Sequence, residues 1–270
     1  MTDGLFYPSS VQIPMKKSIS LAVFNTLGFS GVLTVNALAN ILPINGMNTG
    51  QVSALYPSLF TPAGITFSIW SVIYLLLMGF VVLQWIRIRN EKYSILFSKI
   101  SFLFMLSCLF NMAWIIAWHY LFVWLSVGIM LGLLLTLISI FLIMEKQAIK
   151  EFPDYTFIKL PFTIYLAWIC VATIANISTA LVSESWHGII LSEEGWTIAL
   201  MGVAAALAMY ITLRFIKPAF TAVVIWALIG IFLRWNGTEH SLIASGAIIM
   251  TVLLTGGFLY TLWRSSFKTN

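Results

Sequence analysis

The chain has 270 residues, of which 60% are hydrophobic and 9% charged, whereas a soluble domain carries about 25% charged residues. Its formal net charge is +5, but the basic residues sit in short segments between long uncharged runs. Anionic lipid headgroups and membrane topology account for that placement, and a nucleic-acid partner is not expected.

The uncharged runs cover residues 18–42, 64–86, 100–144, 160–182, 195–213, 218–233 and 241–263. About 20 apolar residues match a hydrocarbon core of roughly 30 Å. Backbone groups there must be paired within the segment, and runs this long and continuous are helices rather than barrel strands. The first run is too long for the apolar part of a signal peptide and is read as retained. The third holds 45 residues and would extend about 68 Å as one helix, twice what a bilayer hides. It must fold back on itself, near residues 119–124. The fold class is therefore all-α, a polytopic transmembrane bundle of about eight spans, with 218–233 the weakest at 16 residues. Cys108 and Cys170 both fall inside apolar runs and read as buried free thiols, without a disulfide or a metal site.

On eight spans, 13 of the 14 Lys and Arg residues, from Lys16 to Lys268, face one side and only Arg234 the other. The positive-inside rule then places both termini in the cytoplasm of a multi-pass cell-membrane protein. The first outer loop, 43–63, has no charge and contains Asn45-Gly46, Tyr56-Pro57 and Pro62. Those are turn signals, and a loop of this length is more often a lid or binding element than a plain connector. The third outer loop, 183–194, holds Glu184, Glu193 and Glu194 and no Lys or Arg.

No Asp, Glu, Lys or Arg lies in the core of a predicted span, which argues against ion coupling, acid–base catalysis and metal chemistry. The spans instead carry Asn and aromatic residues at helical spacing. Asn36 and Asn40 share a face of the first span, Trp70 and Tyr74 of the second. Asn111, Trp114 and Trp118 do so on the third, and Trp168, Ala172 and Asn176 on the fifth. These four faces converge in the outer half, beneath the first outer loop. An amide in hydrocarbon is costly unless paired, so the faces should point into the bundle. For Asn36 and Asn40, interhelical hydrogen bonding alone is an equal reading. Trp118, Trp124, Trp186, Trp196 and Trp235 lie near outer ends and fit an interfacial aromatic belt, whereas Trp168 sits near mid-membrane, out of a belt's reach. His119 reads as an interfacial hydrogen-bonding residue rather than a haem ligand.

Three segments resemble the tryptophan-rich sensory protein/translocator protein (TspO/MBR) family. Phe60-Thr61-Pro62-Ala63 followed by Phe67, Trp70, Tyr74, Met78 and Gly79 is similar to the start of that family's second helix. Phe110-Asn111-Met112-Ala113-Trp114 is similar to its third helix, and the Trp168, Ala172, Asn176 row to its fifth. Ala63 stands where the family has a second proline, and the fifth helix lacks the family's proline. The resemblance covers roughly residues 17–183 and implies a five-helix core over 1–183, followed by a three-helix membrane extension over 184–270 without a counterpart. It further implies binding of a flat hydrophobic ligand, a tetrapyrrole such as protoporphyrin or haem, in a pocket capped by the first interhelical loop.

The leading expectation is thus a non-enzymatic membrane receptor or translocator with no resident cofactor. Its partners are a hydrophobic small molecule and the lipid bilayer, and a homodimer is allowed. In this reading Trp70, Tyr74, Trp114, Trp118 and Trp168 supply stacking area. Asn36, Asn40, Asn111 and Asn176 supply orienting hydrogen bonds, with Ala172 on the same face between Trp168 and Asn176. The alternatives are a secondary permease for a small neutral or amphipathic solute, and an enzyme that degrades porphyrin with light and oxygen.

Overall fold

The computed structural model describes residues 13–42, 44–149, 152–186 and 190–266, the last three of these by backbone alone. Pro43 of the first outer loop, residues 187–189 of the third, and Lys150 and Lys268 of the basic set lie outside the described residues. Nine α-helices are described: α1 (Met15–Ile41), α2 (Thr49–Leu55), α3 (Ile69–Ile86), α4 (Glu91–His119), α5 (Val123–Glu145), α6 (Leu160–Ser183), α7 (Glu193–Phe215), α8 (Pro218–Trp235) and α9 (Ser241–Ser266). All except the short α2 belong to segments long and apolar enough to cross a membrane, eight in total. No strand occurs among the described residues.

The long 100–144 run breaks where its length requires. Helix α4 ends at His119, the chain turns through Leu121 with a φ of 61°, and α5 starts at Val123. Helix α4 begins at Glu91, nine residues ahead of the uncharged run, because a helix does not stop at the hydrocarbon boundary. Glu91 in the first turn also complements the helix dipole. The weak run at 218–233 becomes a full helix of 18 residues, opened by Pro218 in its first turn, where a missing N–H costs nothing.

Helices α1, α4, α5, α6 and α3 pack in that order around a ring that closes where α3 meets α1. Helix α8 docks on the outside of α6 and on the 3-10 turn Gly64–Ser68, with α7 and α9 packed on α8 and on each other. Helix α6 is consequently the most enclosed of the spans.

The two ends of the bundle differ. The lower end carries the α3–α4, α5–α6 and α7–α8 connections, and its half of the ring is filled. The Phe80 ring lies 5.8, 5.1 and 5.0 Å from those of Phe97, Phe104 and Phe162, in tilted and edge-on contacts that aromatic quadrupoles favour. Beside them Asn25 on α1 donates to Gln84 Oε1 on α3 and to Ser101 Oγ on α4, each at 3.0 Å. This polar cross-link joins three helices, and the sequence pattern did not single it out. At the rim Arg87 pairs with Asp154 at 3.2 Å and Lys217 with Glu145 at 2.7 Å, so the start of α8 is anchored to the end of α5.

The upper end carries residues 44–68. There α8 approaches the backbone closely enough for Ala63 N–H to donate to Gly230 O at 2.9 Å. A Cβ on Gly230 would strike the Thr66 hydroxyl and stand 2.9 Å from Pro62 Cβ; only glycine permits this approach. Gly230→Val should lower stability by about 1–3 kcal/mol, the usual cost of overpacking, read as a reduced midpoint in thermal unfolding of the detergent-purified protein.

Candidate functional site

The first outer segment is structured and strapped down on two sides. It opens with Asn45 at φ 55° and Gly46 at φ 77°, a left-handed pair that reverses the chain. Helix α2 follows, started by a reciprocal capping box: Gln51 N–H donates to Asn48 Oδ1 at 2.9 Å, and Asn48 N–H donates to Gln51 Oε1 at 2.8 Å. The Asn48-Thr49-Gly50-Gln51 spacing is the sequence signal that could have revealed this helix. Helix α4 holds it from one side. Asn45 Nδ2 donates to His119 O at 3.0 Å, and Trp118 Nε1 donates to Thr49 O at 3.4 Å. His119 is fully buried; its Nδ1–H donates to Ile115 O at 2.7 Å, which leaves Nε2 to accept from the Thr49 hydroxyl at 3.4 Å.

Helix α8 holds the other side. Trp235 Nε1 donates to Leu59 O at 2.8 Å, Arg234 Nη1 to Thr61 O at 2.9 Å and Trp226 Nε1 to Thr66 O at 2.9 Å. Three carbonyls of an irregular stretch near the membrane are thereby satisfied by side chains from 160 to 176 residues further along the chain.

Beneath this roof lies a cavity of about 850 Å³, bounded by α1, α2, residues 61–64, α3, α4 and the Arg234 side chain. A smaller space of about 50 Å³ adjoins it toward α6, with Thr49, Ser53, Thr61, Pro62, Phe67, Trp70 and Trp114 common to both walls. Asn36, Asn40, Trp70, Tyr74 and Trp114 line the larger space. Trp118, Trp168, Ala172 and Asn176 line the smaller one, together with Trp70 and Trp114. Asn111 lines neither. It is 2% exposed and joins three helices, accepting from Asn36 Nδ2 at 2.9 Å and donating to the Tyr165 hydroxyl at 3.0 Å.

The aromatic walls are ordered by contacts of their own. Trp70 stacks on Tyr74 with centroids 5.5 Å apart, and Trp114 stacks on Trp118 at 5.5 Å. Trp168, 2% exposed, meets Trp70 edge-on at 6.2 Å and Phe67 at 5.9 Å. Trp114 Nε1 donates to Asn176 Oδ1 at 2.8 Å. Asn176 Nδ2 in turn donates to Ser126 Oγ at 2.9 Å, and the Ser126 hydroxyl donates to Val123 O at 2.7 Å. This chain fixes the Trp114 ring against α5 and α6. Asn40 donates back to its own helix at Asn36 O, 2.9 Å away. Three polar groups in the walls bond to nothing within the protein: the Thr61 hydroxyl, Trp168 Nε1, and the Tyr74 hydroxyl, which approaches Asn111 without reaching hydrogen-bond geometry.

Two residues read as belt tryptophans near helix ends also make interior contacts. Trp118 is 5% exposed and packed beneath α2, and Trp235 is a half-buried clamp on Leu59. A buried carbonyl competes effectively with the interface for an indole N–H. Trp124, half exposed and donating to Glu184 Oε1 at 3.1 Å, does fit the belt. Arg234 was not among the expected site residues. Its signal was its isolation as the single basic residue on the outer side.

Neither cavity wall contains Asp or Glu, and among the described residues no three His, Cys, Asp or Glu cluster as metal ligands. Eight helices long and apolar enough to cross a membrane define a multi-pass membrane protein. The sequence model for TSPO-like protein matches residues 22–260, and the chain belongs to that family, whose members are membrane proteins of the receptor or translocator kind. The match continues through α7 and α8 and into α9, beyond the 17–183 stretch that carries the motif resemblance. No curated protein and no solved structure matches the chain.

Trp114→Phe keeps an aromatic side chain, trims the indole and deletes the donor to Asn176, whose Oδ1 retains only the longer approach of the Ser126 hydroxyl at 3.3 Å. The lost buried hydrogen bond and ring area should cost about 1–3 kcal/mol, measured as a lower unfolding midpoint than wild type.

Proposed function

We propose that this protein is a membrane receptor or translocator for a flat hydrophobic ligand of the tetrapyrrole class, held in the cavity beneath α2 and residues 59–66. The observation that carries this reading is the cavity itself. Its volume of about 850 Å³ falls within the roughly 300–1,000 Å³ of small-molecule sites. Two stacked aromatic pairs, Trp70–Tyr74 and Trp114–Trp118, offer ring faces to a planar guest. Asn36 and Asn40 give the same walls amide groups that orient polar substituents. The site binds rather than transforms, since no acid–base pair or nucleophile–base pair faces the space.

Protoporphyrin titrated into the purified protein should quench tryptophan fluorescence saturably. A Trp114→Ala, Trp168→Ala double variant should lose most of that binding; an unchanged isotherm would remove both residues from the site.

The positive residues orient the protein in the cell membrane with both termini and the lower end cytoplasmic, so the cavity opens in the outer half. With Cys108 and Cys170 replaced by Ala, an Asn236→Cys variant should react with a membrane-impermeant thiol reagent on intact cells, and an Arg89→Cys variant should not. Labelling of the second alone reverses the orientation.

A further inference from the structure

We propose that the cavity takes an amphiphile carrying an oxyanion, and that Arg234 together with the Thr61 hydroxyl is the seat of that charged group. The inference rests on reading the cavity as a ligand site and adds to it the chemical class of the ligand's head.

Arg234 reaches the cavity wall from α8. Among the described residues no ion pair joins Arg234 to a carboxylate; Asp154, Glu145 and Glu194 pair with Arg87, Lys217 and His240 instead. One of its five N–H groups is used on Thr61 O at 2.9 Å, and its guanidinium lies 4.8 Å from the Trp235 ring centroid. The fork is therefore held in place with donors to spare. A guanidinium partly withdrawn from water with no counter-charge is costly, and an anion in the cavity removes that cost. No acidic side chain in either wall competes for it.

The second observation is independent of charge. Thr61 is 5% exposed and lines both spaces, and its buried hydroxyl has no hydrogen-bond partner. The Tyr74 hydroxyl and Trp168 Nε1, deeper in the walls, are unpartnered as well. All three can donate, and buried donors left unmade are expensive. A guest that brings acceptor oxygens, with its strongest acceptor at Arg234 and Thr61, satisfies the set. An arginine fork binds a carboxylate or a phosphate in two-point fashion, so a carboxylate on a planar ligand and the phosphate of a lipid headgroup present the same chemistry.

The test uses the full chain in phosphatidylcholine nanodiscs and two probe pairs: protoporphyrin IX with its dimethyl ester, and pyrenebutyric acid with its methyl ester. Wild-type protein should bind the acids about tenfold more tightly than the esters. Arg234→Gln should erase that ratio, any loss from the missing Thr61 latch falling on acid and ester alike, while Arg234→Lys should keep part of it. An equal acid-to-ester ratio in wild type and Arg234→Gln overturns the proposal. If Arg234→Gln loses acid and ester alike, Thr61→Val decides. It keeps the carbonyl latch and removes only the hydroxyl, so a reduced ratio supports the seat and a wild-type ratio overturns it. Discrimination within the pyrene pair without binding of either porphyrin keeps the anion seat and removes the tetrapyrrole reading. Porphyrin binding indifferent to esterification does the reverse. Phosphatidylglycerol that competes with the acids in wild type, but not in Arg234→Gln, identifies a lipid phosphate as an occupant of the seat.

Discussion

The constraint on which the upper half of this molecule depends is the hydrogen-bonding of an irregular backbone at membrane depth. Lipid supplies no donors, so non-helical chain is tolerated there only where protein or a water-filled cavity satisfies it. Residues 59–66 meet that condition through α8. Two indoles and a guanidinium donate to Leu59, Thr61 and Thr66, and the Gly230 carbonyl accepts from Ala63. Helix α4 tethers the other end: Trp118 donates to Thr49 O, the His119 carbonyl accepts from the Asn45 amide and the His119 ring accepts from the Thr49 hydroxyl. The roof is thus held by polar groups of two helices, and the space beneath it follows from that suspension.

The lower half has no such opening. Phenylalanines from α3, α4 and α6 fill the ring, and Asn25, Gln84 and Ser101 tie α1, α3 and α4 together. The same five helices therefore present a packed half that fixes their spacing and a looser half lined with indoles. Amides play two roles between them. Asn111 is used up in cross-linking helices, whereas Asn36 and Asn176 are shared between cross-links and the cavity walls.

Much of the architecture was legible because hydropathy in a bilayer is a one-dimensional signal. Run length alone separated the spans and required a turn near residues 119–124, where the chain reverses between α4 and α5. The Asn and Trp rows were legible as faces, since helical spacing decides which residues point together. It does not decide what meets a face. Whether Asn111 looks into a cavity or onto Tyr165 depends on a helix 54 residues away, and no periodicity encodes that. The roles of Trp226, Arg234 and Trp235 were hidden for the same reason. Their partners are backbone carbonyls, which have no sequence identity to read. Helix α2 is a different case, for its capping box was present in Asn48 and Gln51 but the turn dipeptides around it pointed to an irregular lid without a helix of its own.

The strap from α8 also has a bearing on how the protein is made. Translation delivers the segment 59–66 long before the residues that complete it, and the intervening chain has to insert five further spans first. Until Trp226, Arg234 and Trp235 arrive, the carbonyls of Leu59, Thr61 and Thr66 lack the donors they hold in the finished fold. Assembly of the chamber is therefore a late event in biosynthesis, and a nascent chain released before its seventh span, α8, cannot possess it.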